Sequence, residues 1–486
     1  MKRACIILIS VFLFIASGCS LHKSRMPEAR ISVPSSYLTV QQEEEPAPPI
    51  GRWWEQFGDE ELNTLMEEAF RNNLDIAQAY ERLRQSQAVT RITDSSRKFM
   101  VNIEGSGGRS RQSGFFRGNS VDNSQFGAVT FDTYSLSAGA SYEIDLWKKL
   151  DSRTEAAQLD ELASEHDLKA LYIGISAQLA DLYYLAIEQR AQMELSDHTI
   201  ESFQDTLDRV EHRYRAGLVP ALDVYQSRQN LAAARAQRSL FEARLVLTQN
   251  ELSVLIGRFP DKETGGNLKR LHDTLPFETG LPSQLLTRRP DITAALLRLK
   301  ASDASVAAAI ADRFPSFNLI GTYGGTSDEI RNVLDSPNIF WNILLQLAQP
   351  ALDGGRRKAE VDRSEAVFSE HLASYHKTVL NAFREVEDAL VQIRTSEERI
   401  RSLKESVNAS ESAHRLALDR YLQGLSDYLP VLTQQLRLFT AKSNLLTEKR
   451  TLISNRIQLV RALGGEWADE AMMQYVTYKN TKEESK

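Results

Sequence analysis

Apolar and polar residues alternate through "YSLSAGASYEIDLWKK", which begins at Tyr134. Successive side chains of a strand point to opposite faces. Tyr134, Leu136, Ala138, Ala140, Tyr142, Ile144 and Leu146 therefore share one side, and Ser135, Ser137, Gly139, Ser141, Glu143 and Asp145 share the other. One face suits lipid or a core; the other suits water. "WNILLQLAQP" repeats the pattern, with Trp341, Ile343, Leu345 and Leu347 on one face and Asn342, Leu344, Gln346 and Ala348 on the other, although Leu344 blurs it. Strands are predicted near residues 101–109, 133–147, 315–325 and 339–350.

Elsewhere the period is helical. Neither glycine nor proline, the residues that most readily break helices, occurs from Arg356 to Gln423. That stretch predicts one helix of about 68 residues, roughly 100 Å at about 1.5 Å per residue. Along it Phe383, Val386, Leu390, Ile393, Ile400, Leu403 and Val407 recur at steps of three, four or seven, the coiled-coil period. A matching run from Lys148 to Ala216 is interrupted only by Gly174. Helices of this length cannot be wrapped inside one compact domain and must pack against others of their kind.

The two runs belong to a tandem duplication. "LDIAQAYERL" from Leu74 lies over "PDITAALLRL" from Pro290, and the same register carries "VNIEG" from Val101 onto "FNLIG" from Phe317. "RYRAGLVPALDV" from Arg213 lies over "RYLQGLSDYLPV" from Arg420, and that register holds to Gly257 over Gly464. Each half reads helix, strand, loop, strand, very long helix, turn, shorter helix. The organisation expected is a leader over 1–18, an anchor and extended tether over 19–52, a first repeat over 53–257, an equatorial linker over 258–276, a second repeat over 277–465 and a polar C-terminal tail over 466–486.

Composition narrows the partners. At 486 residues there is ample chain for two or three domains, and a formal charge of -7 with no basic block leaves nucleic-acid binding without a source of attraction. The two cysteines, Cys5 and Cys19, fall in the first twenty residues, so the body of the protein has no disulfide framework or cysteine metal site. Lys2 and Arg3, an apolar run from Ala4 to Ile15 and then "ASGC" form a secretory signal. Its end resembles a bacterial lipobox, which implies cleavage before Cys19, acylation of that residue, and, with Ser20 following, sorting to the outer membrane. Ala16 stands where leucine is commonest in that motif. No later segment has the uninterrupted apolar length of a transmembrane helix, so strands must make any crossing.

Four strands cannot close a barrel, because single-chain barrels start at about eight, and an open edge in lipid leaves backbone groups unpaired at several kcal/mol each. Several copies must pool strands, with Glu143, Asp145, Asn342 and Gln346 facing a wet lumen. Half of a soluble sandwich, or a lipid-anchored coiled-coil spacer without a pore, are the alternatives.

"RWWEQFGDEELNTLMEEAFRNNLDIAQAYERLRQSQA", "YEIDLW", "RYRAGL", "LLTRRPDITAALLRLKAS", "ADRFPSFNLIGTYGG", "ALDGGRR" and "RYLQGLSDYLPVL" closely resemble the lipoprotein branch of the TolC-like outer-membrane factors, over about Trp53 to Gly465. The resemblance implies an α+β membrane protein with four transmembrane β-strands and long periplasmic helices per chain. Three chains would share a twelve-stranded β-barrel on a twelve-helix α-barrel. It also implies a homotrimer working with a periplasmic adaptor protein and an inner-membrane pump of the resistance-nodulation-division type. The chain itself would be the passive exit duct for drugs or other small molecules; protein secretion or metal export on the same fold is the alternative.

In that family the helix-turn-helix tips carry the gate. Gly217 and Gly424 suit tight turns, and Pro220 suits the start of the returning helix. By resemblance, Arg213, Gly217, Leu218, Arg420, Gly424 and Leu425 dock the adaptor. Pro430 and Thr433 stand where family members often place a ring of carboxylates, so Asp427, with Asp223 in the first half, is the nearest candidate for such a ring. For Tyr214 and Tyr421, a hydrogen bond that holds a closed tip and plain aromatic packing both remain open. No G-x-S-x-G elbow, Walker loop or H-E-x-x-H helix appears, and "GSGGRSRQSGFFRGNS" lacks the third glycine of a dinucleotide fingerprint. His371 and His376 fit a solvated helix face better than a metal site. No enzyme activity, cofactor or metal is expected.

Overall fold

A computed structural model describes residues 22–26, 34, 36–38, 50–112, 128–260 and 284–484. Cys5, Cys19, most of the expected tether, the loop between the first two strands and most of the expected equatorial linker lie outside the described residues. The chain divides into two compact units, one of Met1–Arg30, Arg84–Ala163 and Ala295–Tyr375, the other of Ile31–Leu83, Ser164–Ala294 and His376–Lys486.

The element order repeats the duplication. After a 3-10 turn at Trp53–Phe57 come α1 (Glu60–Asn72), α2 (Leu74–Ser95), β1 (Met100–Gln112), β2 (Val129–Ile144), α3 (Lys149–Arg215) and α4 (Ala221–Leu255). The second half runs α5 (Pro290–Ala311), β3 (Ser316–Ser327), β4 (Ile339–Ala348), α6 (Arg356–Leu422) and α7 (Leu429–Leu463), and α8 (Trp467–Glu484) closes the chain. Equivalent helices have equal lengths: 22 residues for α2 and α5, 67 for α3 and α6, and 35 for α4 and α7. Gly174 does not break α3, since one glycine costs only about 1 kcal/mol in a helix held by packing. α3 also contains a stretch apolar and long enough to cross a membrane, but most of it is buried within the protein, as befits a core helix.

In the first unit the four strands form one antiparallel sheet in the order β1-β2-β3-β4. Its register sorts the side chains by polarity. Val101 pairs with Ala140, Ala140 with Gly321 and Gly321 with Ile343; Ile103, Ala138, Tyr323 and Trp341 form the next apolar row. Tyr142, Leu319 and Leu345 continue that face. On the opposite face Glu143, Asn318 and Gln346 line up, as do Asn102, Gly139, Thr322 and Asn342. Leu344 is not a lone exception: it pairs with Ile320, which pairs with Ser141, which pairs with Met100. One mostly apolar row thus crosses the polar face. Trp341 is 71% exposed.

The second unit has a core rich in aromatics. Trp54 meets Trp467 edge-on at 4.8 Å, and Phe70 stacks on Trp467 at 5.6 Å. Asp59 caps α1 through the Glu61 and Leu62 amides and accepts the Tyr183 hydroxyl at 2.8 Å. Residues 466–486, expected as a polar tail, instead form α8 over most of their length: Trp467, Ala468, Ala471 and Tyr475 are buried in this core. Their apolar positions are too few for a strong periodic signal but large enough to anchor the helix. Tyr37, in the expected tether, is also buried, beside Leu285, Val386 and Leu459.

The repeats close in the same way at their ends. Gly257 and Gly464 both have φ near +80° (79° and 77°), and a Cβ on either would collide with a backbone carbonyl, that of Asn72 or of Arg288. The Asn73 side-chain amide donates to the Leu255 carbonyl at 2.7 Å. In the second repeat the equivalent Arg289 donates to the Ala462 carbonyl at 2.9 Å and to Glu385 at 2.8 Å.

Candidate functional site

Both helical hairpins turn through the same motif. At the end of α3 the Leu218 amide donates to the Arg213 carbonyl at 2.9 Å and the Gly217 amide to the Tyr214 carbonyl at 2.9 Å. At the end of α6 the Leu425 amide donates to Arg420 at 2.9 Å and the Gly424 amide to Tyr421 at 3.0 Å. These are Schellman caps, which need one residue with positive φ; Gly217 at 72° and Gly424 at 76° supply it. The repeated "RY..GL" string is therefore a helix stop, with Arg and Tyr providing the accepting carbonyls. Pro220 stands as the N-cap of α4, and Pro430 lies in the first turn of α7.

The two copies of the motif then diverge. Tyr421 is 2% exposed and packs with Tyr428 at 5.5 Å, in a cluster with Phe203, Val210, Val224 and Val431, whereas Tyr214 is 47% exposed. Arg213 lies 5.0 Å from the Tyr421 ring centre and donates from Nη1 to the Leu422 carbonyl at 2.8 Å. Arg420, its equivalent, is exposed. Leu218 and Leu425 are each 65% exposed, so the residue following each helix stop is an apolar side chain in water. Tyr428 carried no signal in the sequence beyond its spacing of seven from Tyr421.

The acids converge as well. Asp223 is held above the usual carboxylate range, first by burial and then by the charge of Asp427, so one chain brings both acids to the same tip. The Tyr421 phenol is pushed up to about 12, chiefly by burial and next by the charge of Asp223. Burial likewise raises Tyr428.

Further along the hairpins α3 and α7 are joined by a buried polar ladder that sequence reasoning missed. Ser443 Oγ donates to Gln192 at 2.8 Å, Thr447 Oγ1 to Glu188 at 2.8 Å, and Gln435 Nε2 to Ser202 at 2.9 Å. Such residues read as surface in a helical pattern, since only their neighbours' packing reveals them.

On the sheet, Glu143, Asn342 and Gln346 occupy the polar face, and Glu143 pairs with Lys149. Asp145 does not extend that face: it lies past the end of β2, and its carboxylate accepts the Asp151 amide at 2.7 Å, capping the first turn of α3. Its alternation with Glu143 is continuous in sequence, but the helix start takes precedence. Among the described residues no group of three or more potential ligands stands ready for a metal ion.

The family model described as outer membrane efflux protein matches residues 65–258 and 281–465. The chain is 30% identical over 397 residues to the probable efflux pump outer membrane protein TtgC of Pseudomonas putida, covering 80% of this chain and 81% of that protein. It is 29% identical over 341 residues to the cation efflux system protein CusC of Escherichia coli strain K12, covering 70% and 72%. Among solved structures, the outer-membrane channel OprN superposes with a TM-score of 0.83 at 26% identity, covering 93% of this chain and all of that one. An apolar sheet face, paired long hairpins and these matches over both repeats agree: the chain belongs to the outer membrane efflux protein family and is an outer-membrane channel component of an efflux system.

Proposed function

We propose that three copies of the chain close one conduit and that this conduit is the passive exit duct of a tripartite system, fed by an inner-membrane pump of the resistance-nodulation-division type through a periplasmic adaptor. The sheet carries the reading: four strands, two open edges at β1 and β4, and an exposed apolar face. In lipid those edges must find partners, and three four-stranded sheets supply the twelve strands that the family resemblance implies. Small molecules are the proposed cargo, and the chain is assigned no catalytic step. Exposed Leu218 and Leu425, with Arg213, Gly217, Arg420 and Gly424 shaping their turns, form the proposed adaptor-docking surface. Asp427, backed by Asp223, forms the proposed acidic ring, and exposed Arg420 and Tyr214 are free to meet the neighbouring copy. Cys19 is the proposed lipid anchor, and Cys19→Ser should abolish acyl labelling.

Planar-bilayer recording tests the duct directly. Small, cation-leaning currents are expected from the wild type, enlarged in Arg420→Ser. Bilayers in which neither protein conducts would contradict the reading.

A further inference from the structure

The two repeats enter their 67-residue helices through the same left-handed residue and fill it differently. Immediately before α6 the residue is Gly355, φ 84°; immediately before α3 it is Lys148, φ 59°, the only residue other than glycine with positive φ among the described residues. A Cβ at Gly355 would meet nothing within 4 Å, so the turn demands backbone freedom and not room, which glycine meets without strain. A lysine kept in that conformation retains strain, and retained strain gathers where a side chain has work to do.

What Lys148 gains is a place on the wall of a cavity of about 550 Å3, with Lys300, Glu155, Trp147 and the pair His22 and Asp303. The Asp303 carboxylate is engaged, by His22 Nε2 at 2.8 Å and by the Arg25 amide at 3.3 Å. None of the ion pairs among the described residues involves Lys148, Lys300 or Glu155. Lys148, Lys300 and Glu155 are exposed and line the same cavity, so two ammonium groups and one carboxylate are available to a ligand there without an ion pair to break.

The position of the cavity indicates the ligand. Trp147 donates from Nε1 to the Pro315 carbonyl at 2.7 Å and lies 5.1 Å from the Phe314 ring, just past the end of β2 and just before the start of β3. Paired aromatics at strand ends mark the girdle where a barrel leaves lipid for water. His22 stands three residues after Cys19, a reach of at most about 11 Å.

We propose that this cavity binds the headgroup of an aminophospholipid from the periplasmic leaflet, Lys148 and Lys300 holding its phosphate and Glu155 its primary amine. Phosphate beside paired ammonium groups is a charge-assisted contact, and the added carboxylate favours a zwitterionic headgroup over a purely anionic one. The inference rests on the proposal that the sheet spans the outer membrane.

Full-length protein, delipidated in detergent, is incubated with phosphatidylethanolamine, phosphatidylcholine or inorganic phosphate, and bound lipid is counted by native mass spectrometry. Retention of one phosphatidylethanolamine per chain is expected, with phosphatidylcholine and phosphate retained at least tenfold less. Lys148→Gly restores the residue of the second repeat, so its thermal midpoint should not fall, while its retention of phosphatidylethanolamine drops at least tenfold; Lys300→Gln should lose retention similarly. Equal retention by Lys148→Gly and wild type, or equal binding of the three probes, overturns the site. Wild-type protein that retains the lipid through Lys148 yet never conducts in bilayers leaves the site standing and removes the duct.

Discussion

Arg213 of one hairpin donates to the backbone carbonyl of Leu422 in the other at 2.8 Å, with its guanidinium 5.0 Å from the Tyr421 ring. A hydrogen bond from a charged donor and a cation–π contact together are worth roughly 2–4 kcal/mol. Arg213→Ala should therefore loosen the tip within each chain, seen as faster amide hydrogen exchange around Tyr421–Leu425. Exposed Arg420→Ala should leave exchange in the isolated chain unchanged, its effect appearing only where copies meet. Equal effects of the two substitutions on a single chain would contradict this asymmetry.

Acid should tighten the tip. The Asp223 carboxyl is raised above 3.8 by burial and by Asp427. A raised carboxyl pKa means that the charged form destabilises the packed tip: the cost is fully present above the folded pKa and vanishes as pH falls to the unfolded value. Amide exchange at the tip, corrected for its intrinsic pH dependence, should slow between about pH 7 and about pH 4. Asp223→Asn should flatten that profile and protect the tip at neutral pH. Loosening on acidification would reverse the sign and refute the assignment.

The glycines separate into kinds that denaturation can distinguish. Gly217→Ala and Gly424→Ala force a side chain into a left-handed cap and should each cost about 1–2 kcal/mol. Gly257→Ala should cost more, because its Cβ also meets the Asn72 carbonyl. Gly174→Ala, in mid-helix with nothing within 4 Å of the new carbon, should stabilise by about 0.5–1 kcal/mol. A destabilising Gly174→Ala would show that α3 is pressed against something at that face.

Much of this was legible in the sequence because it depends on local periods. Alternation of two places the strands, the absence of breakers from Arg356 to Gln423 places α6 to within a residue or so of its end, and the duplicated "RY..GL" marks both helix stops. What was hidden depends on environment. The Arg-Tyr pair is divided oppositely in the two copies: Arg213 reaches in to the Leu422 carbonyl while Tyr214 is exposed, and Tyr421 packs against Tyr428 and Val431 while Arg420 is exposed. Asp145 keeps the alternation of β2 yet caps α3, and Trp467 turns an apparently polar tail into part of the core. No single-sequence pattern encodes which of two identical motifs will be covered.

On the proposed reading one chain leaves both edges of its sheet open, and three chains close them together. The mass of the protein particle in detergent, measured by sedimentation or light scattering with the detergent subtracted, tests it most directly. Three chains per particle are expected, with edge amides of β1 and β4 protected from exchange. A monodisperse single chain that conducts in bilayers, with those edge amides equally protected, would contradict it.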